Sequence, residues 1–104
     1  MAAPFSYDDL AKFLLKAKRA TYAAGGVASP AAVKAAFAGA HQLEFKEGPW
    51  QYRDVYYGER AFAGQEVVYH QNLPVWCMVY AGGFVETYAP EERAYGLFLQ
   101  SALR

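Results

Sequence analysis

The chain has 104 residues, 55% hydrophobic, 17% aromatic and 19% charged, with ten basic and ten acidic side chains in balance. That length suits one domain with a thin core, and the composition is globular rather than disordered. A net charge of zero excludes the basic footprint of a nucleic-acid binder, and no apolar run approaches the ~20 residues of a membrane span.

The opening Met1-Ala-Ala-Pro-Phe5 joins no basic segment to an apolar run, so no signal peptide is expected. Ser6 is placed to cap a helix, with Asp9 three residues on as its capping-box partner and Phe5 and Leu10 spaced as a hydrophobic staple. Leu10, Phe13, Leu14, Ala17 and Thr21 then repeat at the spacing of one buried helical face. Gly25-Gly26 ends the pattern, which predicts a helix over residues 7–24. Lys16-Ala-Lys-Arg19 reads as its solvated side. Residues 27–42 read as a short helix, with Ser29-Pro30 at its start, Ala31 to Ala38 as its body and Gly39 as its stop. A loop is the alternative.

From Gln42 the hydrophobic period changes from 3.6 to 2. Four strands are predicted at 42–47, 50–57, 62–70 and 74–81, with turns at Gly48-Pro49, Gly58–Arg60 and Gln71–Leu73. Gly82-Gly83 closes the fourth, and Phe84-Val85 extends it. A last helix follows, with Pro90 in its first turn, Glu91 and Glu92 at its positive start, and Tyr95, Phe98, Leu99, Ala102 and Leu103 on one face. The expectation is a single α+β domain: an N-terminal helix, a four-stranded antiparallel meander and a C-terminal helix.

Alternation sorts the strand side chains once register is assigned. A two-residue turn at Asn72-Leu73 sets Tyr69 against Trp76, Val67 against Met78 and Gln65 against Tyr80. The opposite face then holds Phe62, Glu66, Val68, His70, Val75, Cys77 and Val79, so both faces are apolar. A two- or four-residue loop at Gly58–Ala61 sets Arg53 opposite Glu66 as a cross-strand ion pair. A three-residue loop, or a bulge at Gly64, sets Asp54 opposite Glu66 instead. The ion-pair register is preferred, because like charges facing each other destabilise a sheet unless function requires them.

His41 and His70 have no ligand spacing around them and read as exposed polar residues; no metal site and no cofactor is expected. Cys77, the lone cysteine, reads as a buried inert thiol and suits a reducing cytoplasm. No nucleophile elbow, P-loop or dinucleotide fingerprint occurs. The candidate site is therefore the aromatic and charged set Tyr52, Arg53, Asp54, Tyr57, Glu66, Trp76 and Tyr80, because charges within an aromatic sheet are either paired or used. The expected role is a cytoplasmic module that forms a homodimer through its aromatic face and binds a small organic molecule there. Nucleic acid and membrane are not expected partners. Two alternatives stand beside it: an enzyme using Asp54 and Glu66 as an acid/base pair, and an interaction module without chemistry.

Several blocks carry a resemblance: Asp9-Leu10, Phe13-Leu14 and Thr21-Tyr22-Ala23; Tyr52-Arg53-Asp54 with Tyr57-Gly58; Phe62-Ala-Gly-Gln-Glu-Val-Val-Tyr69; and Pro74-Val-Trp-Cys-Met-Val-Tyr80 with Gly82-Gly83. Together, over residues 8–104, they resemble a bacterial family of unknown function whose members occur alone or behind an XRE-type helix-turn-helix domain. The resemblance implies a sensing or dimerising module and lends no catalytic residue. The Ala-rich stretch at 27–40 departs from its Pro/Gly/Ser loop. Longer relatives continue with further strands, which a dimer would supply in trans.

Overall fold

The computed structural model describes residues 5–83. Helix α1 (Tyr7–Ala20) begins with the expected capping box: Ser6 Oγ accepts from the Asp9 amide, and the Asp9 carboxylate accepts from the Ser6 amide. Leu10, Phe13 and Ala17 are its buried face. The helix stops four residues short of the predicted end. Thr21 turns its hydroxyl back onto the Ala17 carbonyl at 2.9 Å, and Gly25 and Gly26 take φ of 113° and 58°, which reverses the chain.

Five strands follow rather than four: β1 (Ala32–Val33), β2 (His41–Glu47), β3 (Trp50–Gly58), β4 (Ala61–His70) and β5 (Leu73–Gly83). They form one antiparallel sheet in sequence order. The short helix predicted within 27–42 is absent. A 3₁₀ turn at Gly26–Ala28, a Ser29 hydroxyl accepting from the Ala31 amide, and β1 on the edge of β2 take its place. Eight helix-forming residues make a marginal helix on their own, whereas the edge of β2 offers backbone partners such as Glu44 N–H to Ala31 O at 2.9 Å. The predicted C-terminal helix and the Phe84-Val85 extension lie outside the described residues.

Both predicted registers differ by one residue. The β3–β4 hairpin uses the three-residue loop Glu59-Arg60-Ala61, so Gly58 pairs with Phe62 and Asp54 with Glu66. Gly58 sits at φ 89° with the Ala61 carbonyl oxygen 2.0 Å from where a Cβ would lie, so this loop needs a glycine. The β4–β5 turn falls on Gln71-Asn72, at φ 50° and 66°, which spares Leu73 a positive φ. An irregularity beside Val68/Tyr69 then pairs Val68 with Trp76 and Tyr69 with Pro74, leaving Val75 opposite no residue.

The two slips cancel between β3 and β5, so Tyr52, Asp54, Trp76 and Tyr80 share a face as expected. What changes is β4. Glu66, Val68 and His70 join that face, while Tyr69 joins Arg53, Tyr57 and Val79 on the other. Helix α1 packs on the first face: Leu10, Phe13 and Ala17 bury against Tyr52 and Val68, with Phe5, Phe45, Trp50, Val75 and Trp76 around them. Among the described residues no element packs on the second face, where Tyr57, Val79 and, from the loop before β2, Phe37 are exposed.

Candidate functional site

Two carboxylates lie side by side under the helix end. Asp54 is 0% exposed and Glu66 1%, and they are direct cross-strand partners. The Tyr52 hydroxyl donates to Glu66 Oε1, and Lys18 Nζ, from the last turn of α1, lies 2.6 Å from the same oxygen. Asp54 is held otherwise. Tyr22 donates to its Oδ2, and Tyr80 donates to its Oδ1 at 2.6 Å. The Tyr22 and Tyr80 hydroxyl oxygens are 3.3 Å apart.

Local structure explains why these groups meet. Because α1 ends at Ala20, Tyr22 falls in the turn that leads away from the helix and reaches over β3 and β5. Gly64 lies between Tyr56 and Tyr80 on the neighbouring strands. A Cβ on Gly64 would stand 2.5 Å from Tyr80 Oη and 2.6 Å from Tyr56 Cβ, so its missing side chain is what lets the Tyr80 ring lie across β4 toward Asp54.

Burial drives the electrostatics. It pushes the Asp54 carboxyl above its ordinary value, the neighbouring Glu66 charge adds to the rise, and the hydrogen bonds from Tyr22 and Tyr80 and the Lys18 charge pull it back. Burial likewise pushes Tyr22, Tyr52 and Tyr80 above the ordinary phenol range, reinforced by their hydrogen bonds to carboxylates. All three are therefore neutral donors at physiological pH.

At the end of the sheet that α1 leaves uncovered, a cavity of about 390 Å³ opens; Asp54 does not line it, but its two donors, Tyr22 and Tyr80, do. Tyr22, Tyr56, Phe62 and Tyr80 supply its walls, with His41 and Glu59 also lining it. Phe62 and Tyr80 stand 6.4 Å apart at 52°, and His41 tilts on Tyr56 at 5.0 Å. The volume suits a small organic molecule.

Of the seven residues singled out from sequence, Tyr52, Asp54, Glu66 and Tyr80 come together. Arg53 does not join them: its Nε pairs with Glu44 Oε2 at 3.2 Å and its guanidinium lies over Tyr69 on the open face. The predicted Arg53–Glu66 pair is thus replaced by Arg53–Glu44 and Lys18–Glu66, the outcome of the one-residue shift in the hairpin. Tyr57, on the same side as Arg53, is exposed. Trp76 packs with the core beneath α1, away from the cavity. Two further expectations are corrected. Cys77 is exposed on the open face rather than buried. His70 is buried rather than exposed, packed on Phe5 and Trp50 with no hydrogen-bond partner to its Nδ1 among the described residues.

Sequence reasoning missed Tyr22 and Lys18, which the structure adds from the helix end. Their i, i+4 spacing next to the buried stripe is the available signal; the solvated-side reading of Lys18 concealed it, and Tyr22 had no role assigned. Among the described residues no group of three or more His, Cys, Asp or Glu side chains is arranged to hold a metal, and no helix is long and apolar enough to cross a membrane.

Residues 54–104 match a family model described as a domain of unknown function (DUF5680). The match begins at Asp54 and takes in Glu66 and Tyr80, but not Lys18, Tyr22 or Tyr52. No curated protein and no solved structure matches the chain.

Proposed function

We propose that the chain is a small-molecule-binding module whose site is the cavity beside Asp54. The observation that carries this reading is an aromatic-walled cavity two of whose lining tyrosines, Tyr22 and Tyr80, are held by the fully buried Asp54 carboxylate behind them. Burying a carboxylate costs stability, and that cost is repaid where the group orients a ligand. Resemblance to modules that accompany XRE-type helix-turn-helix domains agrees with a sensing role, in which binding biases the state of a partner domain. A fragment library screened by amide NMR shifts tests the reading. Hits are expected to move Tyr56, Phe62 and Tyr80 and to weaken in Phe62→Ala. Hits that cluster on the open face, or none at the cavity, would refute it.

An acid/base enzyme is the second reading, favoured by the direct Asp54–Glu66 pairing. Its weakness is access. Glu66 is sealed by Tyr52 and Lys18, so a substrate in the cavity meets Asp54 only through the hydroxyls of Tyr22 and Tyr80. Self-association is a separate proposal. Helix α1 already shelters Tyr52 and Trp76, which removes the reason for a dimer through that face; the open face of Tyr57, Val79 and Phe37 is the better seat for a second copy.

A further inference from the structure

The protons around Asp54 limit what the cavity can accept. A phenol has one proton. Tyr22 gives its proton to Asp54 Oδ2 and Tyr80 gives its own to Oδ1. The two oxygens also stand 3.3 Å apart, within hydrogen-bond reach of each other with either as donor, so both protons are engaged inside the cluster while acceptor lone pairs remain. Two lone-pair-bearing oxygens held that close beside a carboxylate make a place for a positive group.

The walls point the same way. Tyr56, Phe62 and the rings of Tyr22 and Tyr80 present aromatic faces, which carry negative potential and attract cations. Glu59 adds a carboxylate among the lining residues, and no lysine or arginine is among the described ones. Lys18, from the helix end, is engaged with Glu66, and its ammonium already lies 5.6 Å from the Tyr22 ring centroid. One ring of this site thus hosts an ammonium from the chain itself. An anionic ligand would meet Glu59 at the wall and the Asp54 charge behind the two hydroxyls. A neutral hydrocarbon would fill the walls and leave the paired hydroxyl oxygens unanswered.

We infer that the cavity receives a small organic ammonium ion, its charge seated against the Tyr22 and Tyr80 hydroxyl oxygens and its carbon skeleton among the rings of Tyr56 and Phe62. This rests on the cavity being a ligand site, as proposed above, and names the chemistry of the ligand.

The test compares three probes of matched shape by amide NMR titration: choline, its uncharged isostere in which a tert-butyl group replaces the trimethylammonium, and the corresponding tert-butyl carboxylate. Choline is expected to move the amides of Tyr56, Phe62 and Tyr80 and to bind about tenfold tighter than the uncharged isostere, the scale of a cation–π site with added charge. Asp54→Asn is expected to erase most of that preference. Because loss of Asp54 also disturbs two hydrogen bonds, Glu59→Gln serves as a second variant outside that network, and it is expected to narrow the preference by about threefold while leaving the melting temperature unchanged. Equal or tighter binding of the uncharged or anionic probe overturns the cation assignment and leaves the cavity reading standing. Failure of all three probes while neutral fragments bind there overturns the assignment too. Failure of probes and fragments alike overturns both.

Discussion

Tyr22 and Tyr80 each spend their one hydroxyl proton on Asp54, while Glu66 draws on Tyr52 and Lys18. Two adjacent carboxylates thus survive burial by dividing four partners between them. Lys18 is the only full positive charge among those four. Lys18→Met leaves Glu66 buried without a counter-charge and should destabilise the protein by about 2 kcal/mol in urea unfolding, less than a fully buried pair would lose because Lys18 is partly exposed. Asp54 gives a pH signature. Its folded pKa is raised above the ordinary 3.8, so its contribution to stability is fully present below that value and is lost as pH rises through the folded pKa. Unfolding free energies measured across this range should therefore move in favour of Asp54→Asn, relative to wild type, as pH increases. A difference that is flat with pH would contradict the raised value.

At the scale of elements, one residue of loop length decides the site. Glu59-Arg60-Ala61 sets the parity that brings Glu66 beneath α1 with Asp54; a loop one residue longer or shorter would set Arg53 opposite Glu66 instead. Strands β2 to β5 were legible because Tyr, Val and Trp alternate through them and glycine and asparagine punctuate them, whereas the two-residue β1, inside an Ala-rich stretch, was not. The helix was legible because Ser6 and Asp9 cap it and Leu10, Phe13 and Ala17 stripe it. Register was not legible, because Gly58-Glu-Arg-Ala61 is compatible with loops of two, three or four residues, and only long-range pairing chooses among them. Gln71-Asn72 was displaced from the expected turn for a local reason: Asn tolerates a positive φ and Leu73 does not. The site was half legible. Its carboxylates stood out as charges within aromatic strands, whereas Tyr22 depends on where the helix stops, the least determined feature of its pattern. Gly64 was read as a possible bulge and is instead the space that Tyr80 crosses. Gly64→Ala should cost about 2 kcal/mol through overpacking against Tyr56 and Tyr80, and it should weaken ligand binding in step by displacing Tyr80 from Asp54. Loss of stability with undiminished binding would show that Tyr80 does not need this passage.

At the scale of the molecule, α1 covers one face of a five-stranded sheet, and among the described residues two regions have no cover. The first is the cavity at the end of that face. The second is the opposite side, where Phe37 is 65% exposed and Val79 62%. Light scattering behind size exclusion should report a dimer at micromolar concentration, with Val79→Arg shifting it to monomer and leaving ligand binding intact. A wild-type monomer at those concentrations would leave the open face without the proposed partner copy.

The claim on which the account turns is that Asp54 is a buried carboxylate held by two tyrosine hydroxyls at the cavity. A carboxyl carbon-13 NMR titration of Asp54 tests it most directly. The account predicts a midpoint above the ordinary 3.8, moving higher still in Tyr80→Phe because a hydrogen bond that lowers it is lost. A midpoint at or below 3.8 in the wild type, or one that Tyr80→Phe leaves unmoved, would contradict it.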